Sequence, residues 1–429
     1  MTRRLFYWRL SAPGNMLESV QTFLFALMFY INKNQITNIK FTAMSKPHLP
    51  KTQELIDLIA QNGWHDKFQQ AFEKAKSFDV QEMDDINSLD DYFNWLDANL
   101  RWIPVENKFG RMMFNHICKF YFILDQSPVK ELQNPIEPHD VASPLSPLSK
   151  WMKEYIKELG KWLDSPESIT DESVKSFYNS PEFNMAEYLE PRGGWKSYNE
   201  FFARSCKPGT RPVAAIEDSR VITSPADSTF DGAWEIRDDD TIEIKGIHWK
   251  ISELLEGSPY KDRFAGGMWM HSFLGPSDYH RQHCPVAGRV LESRDIMGVV
   301  YLQVEAVPDP ATGRNKLDGK RVAKFDAPDE PGYEFMQNRG LVVMDSPIGL
   351  VAILPMGMGQ VSSVVMTAEE GRVLRKGEEI SYFQFGGSDI VMVFEAAANV
   401  HFTATVGQHY KYGRAIAQAY PVVRGIEPF

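Results

Sequence analysis

Three short segments of the sequence carry side chains that could take part in a reaction. His280 and His283 lie three residues apart within residues 275–285. Asp227 stands in a turn that separates two expected strands, and Ser388 follows two glycines at the entrance to an apolar run. A hydroxyl, an imidazole and a carboxylate together make a base-activated nucleophile. These residue types therefore indicate acid–base or nucleophilic chemistry, provided that the segments meet in the fold.

Each segment also has a plainer interpretation. The two histidines and Cys284 are of the types that bind zinc, but the sequence shows no further ligand cluster, and we expect no metal. Both histidines can equally be structural. An aspartate such as Asp227 often caps its own turn, and glycines before a residue such as Ser388 are typical of a hairpin turn or a β-bulge. For each segment taken alone, these alternatives stay open.

Length and composition bound the class of protein. The chain has 429 residues, enough for two or three structural units, and its 43% of hydrophobic residues is ordinary for a soluble globular protein. The net charge of −11 argues against nucleic acid as the main partner, because phosphate binding needs a cationic face. Only three cysteines occur, without a CxxC pair, which favours a reducing compartment such as the cytoplasm.

Residues 1–43 differ in composition from the rest of the chain. They carry five basic residues and a single acidic residue, Glu18. The uncharged stretch between Glu18 and Lys33 is shorter than the roughly 18–20 residues that span a bilayer. We interpret this segment as a dispensable extension, a peripheral membrane anchor or a targeting peptide.

Residues 44–190 have the periodicity of helices. Apolar residues recur at helical spacing, and Ser88 followed by Asp91 is a pattern that caps the start of a helix. The stripes are Phe68, Ala71, Phe72 and Ala75, then Leu89, Phe93, Leu96 and Leu100, and finally Trp151, Tyr155, Leu159 and Trp162. We interpret their aromatic residues as core packing and the segment as a helical N-terminal domain.

Residues 191–429 have a sequence pattern typical of short strands. Apolar and β-branched runs at 241–245, 341–344 and 349–354 are separated by Gly and Pro. We expect a mainly β domain, either a sandwich or a partly closed barrel, after the helical domain. The sequence thus predicts an α+β chain whose reactive residues lie at strand ends and in loops.

Three motifs stand out by their order along the chain. The pattern Asp-Tyr-His-Arg-x-His-x-Pro at 278–285 is followed, about a hundred residues later, by Gly387-Ser388 at a strand entrance, and Ser-Tyr-Asn-Glu-Phe-Phe-Ala-Arg precedes both at 197–204. Over about residues 195–400 the chain resembles the phosphatidylserine decarboxylase family of pyruvoyl-dependent enzymes. Its helical N-terminal unit is similar to that of a soluble subgroup that includes fungal tryptophan decarboxylases.

The resemblance implies an enzyme that makes its own cofactor. The hydroxyl of Ser388 attacks the carbonyl of Gly387, the chain is cut between them into two chains, and a pyruvoyl group is left at position 388. His283 matches the family's base and Asp227 the carboxylate that orients it, so that these two and Ser388 form a triad. The pyruvoyl ketone condenses with the substrate's amine and serves as the electron sink for decarboxylation. His280 matches the histidine expected to return a proton after carbon dioxide leaves.

The resemblance also implies an amine-bearing carboxylate as substrate. Family precedent puts phosphatidylserine first, with a free aromatic amino acid second. We further expect a homo-oligomer and a peripheral contact with a membrane. Asp389 departs from the family pattern, which commonly has Thr or Ser after the cleavage serine. A carboxylate at this position is expected to slow elimination or to repel an anionic substrate.

Two other classes of protein compete with an enzyme. Residues 371–378 resemble the glycine-punctuated hairpins of biotinyl and lipoyl domains, which would make the chain a carrier. A carrier needs an acceptor lysine at a hairpin tip, and residues 365–369 contain none. The remaining alternative is an interaction protein that keeps the fold without catalysis.

Overall fold

The computed structural model describes residues 47–141, 143–244, 246–319, 332–358, 364–385 and 387–421. The expected extension of residues 1–43 lies outside these ranges. Contacts group His48 and the residues after it into one unit. Helices dominate this unit up to residue 202 and strands follow, while the domain boundary at residue 190 stays a prediction.

The helical segment confirms the apolar stripes read from the sequence. Ser88 caps α3 by accepting a hydrogen bond of 3.0 Å from the backbone N–H of Asp91, as the pattern predicts. In α2, α3 and α5 the predicted stripe residues are buried, apart from the half-buried Trp162. The α-helices of the described residues are α1 Pro50–Gln61, α2 His65–Ser77, α3 Leu89–Asn99, α4 Met112–Phe122, α5 Pro147–Leu163, α6 Asp171–Tyr178, α7 Tyr198–Phe202 and α8 Ile251–Leu254.

The strand-rich segment begins just before α7. Its described strands are β1 Tyr188–Leu189, β2 Ser205–Cys206, β3 Val221–Thr223, β4 Ser228–Glu235, β5 Thr241–Ile244, β6 Ile247–Lys250, β7 Met268–Leu274, β8 Arg281–His283, β9 Gly288–Ile296, β10 Val304–Pro308, β11 Asn315–Gly319, β12 Asn338–Ser346, β13 Gly349–Met358, β14 Val364–Met366, β15 Val373–Leu374, β16 Glu379–Phe383, β17 Gly387–Phe394, β18 Val400–Phe402, β19 His409–Tyr410 and β20 Ala415–Ala419. The predicted runs 341–344 and 349–354 fall within β12 and β13, and β5 covers the first four residues of the run 241–245.

An eight-stranded antiparallel sheet forms the centre of this segment, in the order β15-β9-β12-β13-β17-β7-β4-β19. Two three-stranded sheets accompany it, β14-β16-β8 and β18-β20-β3. The described strands form open sheets without a closed barrel, and the α+β class is confirmed. Strand β17 lies in the interior of the large sheet, where it is hydrogen-bonded on both edges.

Helical and strand-rich residues contact one another directly. The guanidinium of Arg314 donates to both carboxylate oxygens of Asp84, at 2.7 and 2.9 Å, and the backbone N–H of Val304 donates to Asp125 at 2.7 Å. The helical residues therefore form a supporting layer for the sheet region rather than a detached module. Among the residues described here, none of the helices is both long and apolar enough to cross a membrane.

Candidate active site

Ser388 lies near the start of the central strand β17. Its backbone stands opposite Gly357 of β13 on one side and Leu274 of β7 on the other. The side chain is fully buried, and its hydroxyl oxygen has no hydrogen-bond partner among the described residues. Because a buried hydroxyl normally finds a partner, this unsatisfied group requires an explanation.

The residues just before the expected cleavage point are held by the helical layer. The backbone N–H of Phe385 donates to the side-chain oxygen of Asn199 in α7 at 3.1 Å. Asn199 donates in turn to Asp164, the residue that ends α5, at 2.9 Å, and Gln384 donates to the same carboxylate at 3.2 Å. We call Asn199 and Asp164 the upstream clamp.

Aromatic rings complete this contact. The ring of Phe385 packs edge-on against Trp102, Tyr198 and Phe202, with centroid separations of 5.4–5.6 Å. Phe202 also stacks on the imidazole of His280, with centroids 3.8 Å apart. One aromatic cluster from the helical layer thus touches both the segment that precedes Ser388 and a predicted catalytic histidine.

His280 and Ser388 are approached from the same strands. The carbonyl of His280 accepts the backbone N–H of Phe383, at the end of β16, at 2.8 Å. On its other side, His280 follows the loop that leaves β7 directly after Leu274, the cross-strand partner of Ser388. The structure therefore places the segment that carries His280 next to the strands that lead to Ser388.

The ring of His280 is uncharged in this environment. It is fully buried, and among the described residues neither ring nitrogen makes a hydrogen bond of good geometry. Burial, assisted by the positive charge of Arg204, lowers the pKa of His280 well below its usual value, although the carbonyls of Gly275 and Asp278 act in the opposite direction. His280 is therefore a neutral imidazole whose nitrogens have no partner of good hydrogen-bond geometry in the part of the chain that the structure describes.

His283 has a different environment, in which both ring nitrogens are engaged. Nδ1 lies 2.8 Å from the carbonyl of Gly377 and Nε2 lies 3.0 Å from the hydroxyl of Tyr279. A carbonyl can only accept, so Nδ1 carries the proton and Nε2 accepts from Tyr279. The ring stacks on Tyr412 at 3.8 Å, and burial lowers the pKa of His283 to about 4. At neutral pH, His283 is thus a neutral base whose lone pair lies on Nε2.

Asp227 is buried but is not hydrogen-bonded to His283. Its carboxylate accepts three hydrogen bonds of 2.6–3.0 Å from the guanidinium of Arg211 and one of 2.8 Å from the backbone N–H of Tyr412. Burial raises the pKa of Asp227, and Arg211 opposes this shift. The link from Asp227 to His283 therefore runs through Tyr412, whose backbone holds the carboxylate and whose ring lies on the imidazole.

Asp389 points away from the reactive serine. Neighbouring residues of a strand face opposite sides of the sheet, so Asp389 lies on the face opposite to Ser388. Its carboxylate is fully buried, accepts a hydrogen bond of 2.6 Å from Tyr333 and lies 3.6 Å from Nε2 of His271. The expectation that this charge acts directly on the serine does not follow from the geometry.

The residue types that suggested zinc do not converge. The sulfur of Cys284 lies 3.3 Å from the sulfur of Met344, while the rings of His280 and His283 stack on different aromatic residues. Within the described ranges, no group of three or more His, Cys, Asp or Glu side chains could hold a metal ion.

Sequence reasoning missed several residues that build the site. Arg211, Tyr279 and Tyr412 contact the predicted acid and base, and Asn199 holds the segment before the serine. Tyr279 and Asn199 stand inside motifs that were recognised, whereas Tyr412 has no local signal because its role depends on a contact across 129 residues of chain.

Loss of the upstream clamp should be visible in hydrogen exchange. In the Ser388→Ala protein, Asn199→Ala leaves the buried N–H of Phe385 without its acceptor. A lost hydrogen bond of about 1–2 kcal/mol corresponds to roughly tenfold faster exchange in the peptide that contains Phe385. Hydrogen exchange followed by mass spectrometry measures this, with exposed Asn62→Ala as the control. Unchanged exchange would show that the clamp does not hold this segment.

The environment of His283 predicts a loss of stability in acid. Between pH about 4 and about 6.5 the folded protein binds fewer protons at this ring than the unfolded chain does, so stability rises with pH across that window. In Ser388→Ala protein, acidification from pH 6.5 to 4 should cost up to about 3 kcal/mol through this group. Urea unfolding of the His283→Gln variant should show a smaller acid loss, whereas exposed His401→Gln should follow the parent. Equal losses in the two variants would contradict the assignment.

Comparison with known proteins now adds to this geometry. The sequence profile described as phosphatidylserine decarboxylase matches residues 198–418. Phosphatidylserine decarboxylase proenzyme 3 of Schizosaccharomyces pombe is 34% identical over 58% of this chain, which spans only 24% of that protein. A phosphatidylserine decarboxylase proenzyme of Fusobacterium nucleatum is 30% identical over 55% of this chain and 71% of its own length.

A third relative carries a different name. Decarboxylase iboD of Amanita muscaria is 30% identical over 63% of this chain and 83% of its own length. The matched range of the family profile includes the predicted residues Asp227, His280, His283 and Ser388. On the profile match over just over half of its length, and on these relatives, the chain belongs to the phosphatidylserine decarboxylase family.

Proposed function

We propose that this protein is a self-processing, pyruvoyl-dependent decarboxylase that is cut between Gly387 and Ser388. The observation that carries the proposal is the Ser388 hydroxyl, which is buried, has no partner among the described residues and stands at the start of a central strand. Leaving a hydroxyl in this state costs free energy, and a nucleophile is a physical reason to keep it so. Membership of the family supports the same conclusion.

The residues present fit the formation of a pyruvoyl group at position 388. The Ser388 oxygen attacks the carbonyl carbon of Gly387, the peptide C–N bond breaks, and the serine hydroxyl proton passes through a base to the freed amine. Loss of the Cα proton then expels the Gly387 carboxylate and leaves a double bond between Cα and Cβ. Tautomerisation and addition of water release ammonia and leave a ketone. That ketone supplies the electron sink for decarboxylation of an amine-bearing substrate.

His283 is the proposed base for the first step. Its Nε2 lone pair is available at neutral pH because the ring is neutral, and the carbonyl of Gly377 fixes the tautomer through Nδ1. The hydroxyl of Tyr279 donates a hydrogen bond of 3.0 Å to Nε2 of His283. The proton of Ser388 therefore reaches His283 either after Tyr279 turns away or through the Tyr279 hydroxyl.

Asp227 is proposed as a positioning residue for this base. It receives the backbone N–H of Tyr412, and the Tyr412 ring lies against His283 with an interplanar angle of 6°. In place of the direct contact expected of a triad, the Asp227 carboxylate fixes the backbone of Tyr412, and the ring of Tyr412 fixes the imidazole of His283. Arg211 keeps the buried carboxylate ionised and in place.

His280 is proposed to return a proton to the substrate carbon. Because the ring is neutral, it holds one N–H, and neither nitrogen is engaged by a described residue in good geometry. Its stacking on Phe202 fixes the ring plane. The histidine can therefore exchange a proton with a group that enters next to Ser388.

Phosphatidylserine is the first substrate that we propose, because two of the relatives described above carry that name. A groove of about 730 Å³ supports an anionic head group. It is lined by residues 212–214 together with His409, Lys411 and Arg414, and it lies next to Tyr412. Arg414 and Lys411 suit the phosphate that a phospholipid carries and a free amino acid lacks, Lys411 while it is also paired with Glu187.

A free amino acid is the second candidate. The fungal decarboxylase covers more of this chain than the family profile does, so the similarity reaches beyond residues 198–418.

Processing would yield two chains that stay associated. The homo-oligomer and the membrane contact stay predictions.

Intact-mass analysis of the purified protein tests self-processing. We expect two chains, one ending at Gly387 and one covering residues 388–429, the second lighter by one ammonia than a fragment that begins with serine. Ser388→Ala should stay uncut because the nucleophile is gone. His283→Gln should cut at least about 100-fold more slowly, the usual worth of a general base, and exposed His401→Gln should cut normally. A single uncut wild-type chain would refute the proposal, and normal cutting of His283→Gln would refute the base.

Release of carbon dioxide distinguishes the two substrates. The processed full chain should decarboxylate phosphatidylserine in vesicles and leave free tryptophan unchanged, because the cationic groove binds the phosphate. The Ser388→Ala protein is the control and should release none from either. Turnover of tryptophan alone would transfer the assignment to the amino acid.

A further inference from the structure

The residue after the reactive serine belongs to a charged cluster that is buried except for the partly exposed Asp231. We call Asp231, His271, Glu334 and Asp389, together with Tyr333, the back-face cluster. Three carboxylates, those of Asp231, Glu334 and Asp389, surround the imidazole of His271. Nδ1 of His271 lies 2.9 Å from Asp231, and Nε2 lies 3.6 Å from Asp389 and 3.7 Å from Glu334. Such a cluster is costly to bury and plays no part in the steps described so far.

The strand register places His271 and Asp389 on the face opposite to Ser388. His271 is the cross-strand partner of Val391, which shares a face with Asp389 two residues earlier. Asp231 is the extra residue of a β-bulge in β4, between the pairs Phe230–Ser272 and Gly232–His271. A bulge re-aims a side chain, and here the carboxylate turns toward the imidazole.

Electrostatics makes the ring of His271 a cation. Burial disfavours the charged form, but the carboxylates of Asp389 and Asp231 outweigh it and raise the pKa of His271 well above its usual value. Burial also raises the pKa of Glu334 to about 7, although His271 opposes that shift. The cluster therefore has one imidazolium between two carboxylates, with Glu334 close to half-ionised at neutral pH.

We propose that the ion pair of Asp389 with His271 positions the scissile bond for self-cleavage, which makes Asp389 and His271 positioning residues. This inference rests on the proposed function and deepens it. Asp389 is the first residue after Ser388, so fixing its side chain between Tyr333 and His271 fixes the peptide plane that follows the serine. Upstream, the backbone of Phe385 is fixed by the clamp. The bond to be cut thus lies between two restrained points.

The pair also explains how this chain accommodates an aspartate at position 389. A carboxylate next to the nucleophile would oppose a developing negative charge if it faced the same side. Because the Asp389 carboxylate faces the other side and is paired with the His271 imidazolium, its charge is neutralised. The neighbouring strand β13 contributes the apolar Met356 opposite Asp389, and β7 contributes Trp269, which stacks on His271. Among the described residues, the charges facing the pair are thus Asp231 and Glu334.

Rates of self-cleavage test this assignment. The full chain and its variants are made by cell-free translation at pH 7.5, synthesis is stopped, and the conversion of full-length chain to residues 1–387 is timed. Asp389→Asn, which keeps an oxygen for Tyr333, and His271→Gln should each slow cleavage at least about tenfold, since the first removes the ion pair and the second leaves the buried Asp389 carboxylate without its cation. The double variant should cut faster than His271→Gln, because the carboxylate left without its cation is then gone.

Restoring the positive charge separates positioning from packing. His271→Lys places a cation near Asp389 again, so its cleavage rate should recover toward wild type relative to that of His271→Gln. A packing defect would leave His271→Lys as slow as His271→Gln. Exposed Asp345→Asn on β12 is the matched control and should cut like wild type.

The outcomes separate this inference from the proposed function. A wild-type chain that is never cut would overturn both. The positioning role alone would be overturned if the wild-type chain is cut and the single variants are cut within about twofold of its rate. It would also be overturned if the double variant is slowed by the product of the two single effects. Thermal melting of each variant in the Ser388→Ala background identifies those that fold. If the singles do not melt cooperatively, cleavage of the double variant at a near wild-type rate supports the pair, and absence of cleavage overturns it.

Discussion

The whole arrangement depends on one constraint: the reactive serine stands at the entrance of an interior strand. Ser388 is hydrogen-bonded into β17 between β13 and β7, and the sheet gives it a fixed backbone. Immediately upstream the chain leaves that sheet, and Phe385 is held instead by Asn199 from the helical layer. The bond between Gly387 and Ser388 therefore lies where one set of restraints gives way to another.

Burial sets the charge states around this point. Desolvation keeps His280 and His283 neutral, while the carboxylates around His271 keep that ring charged. The three imidazoles differ through their partners: an aromatic face for His280, a carbonyl and a phenol for His283, and carboxylates for His271. One residue type thus takes distinct states within neighbouring strands.

Patterns that depend on neighbours in sequence were predictable, and contacts between distant segments were not. The Ser88 cap and the stripes of α2, α3 and α5 follow from helical spacing, and the strands of the sheet follow from runs of β-branched residues. The meeting of His280 with the serine segment was inferred from motif order. The partners of Asp227 were not predicted from the sequence. Arg211 precedes Asp227 in the chain and Tyr412 follows it, at very different separations. The orientation of Asp389 was missed because strand alternation has meaning only once β17 is placed in its sheet.

The placement of β17 determines how the processed protein unfolds and refolds. Cutting after Gly387 would assign β17 to the small chain together with β18, β19 and β20, while the strands that flank them, β13, β7, β4 and β3, stay with the large chain. The ion pair of Lys411 with Glu187 would likewise join the two pieces. The small chain then cannot leave without the sheet losing its middle. Unfolding of the cut protein releases two molecules where the precursor releases one, so its melting temperature depends on concentration and its refolding becomes a second-order process.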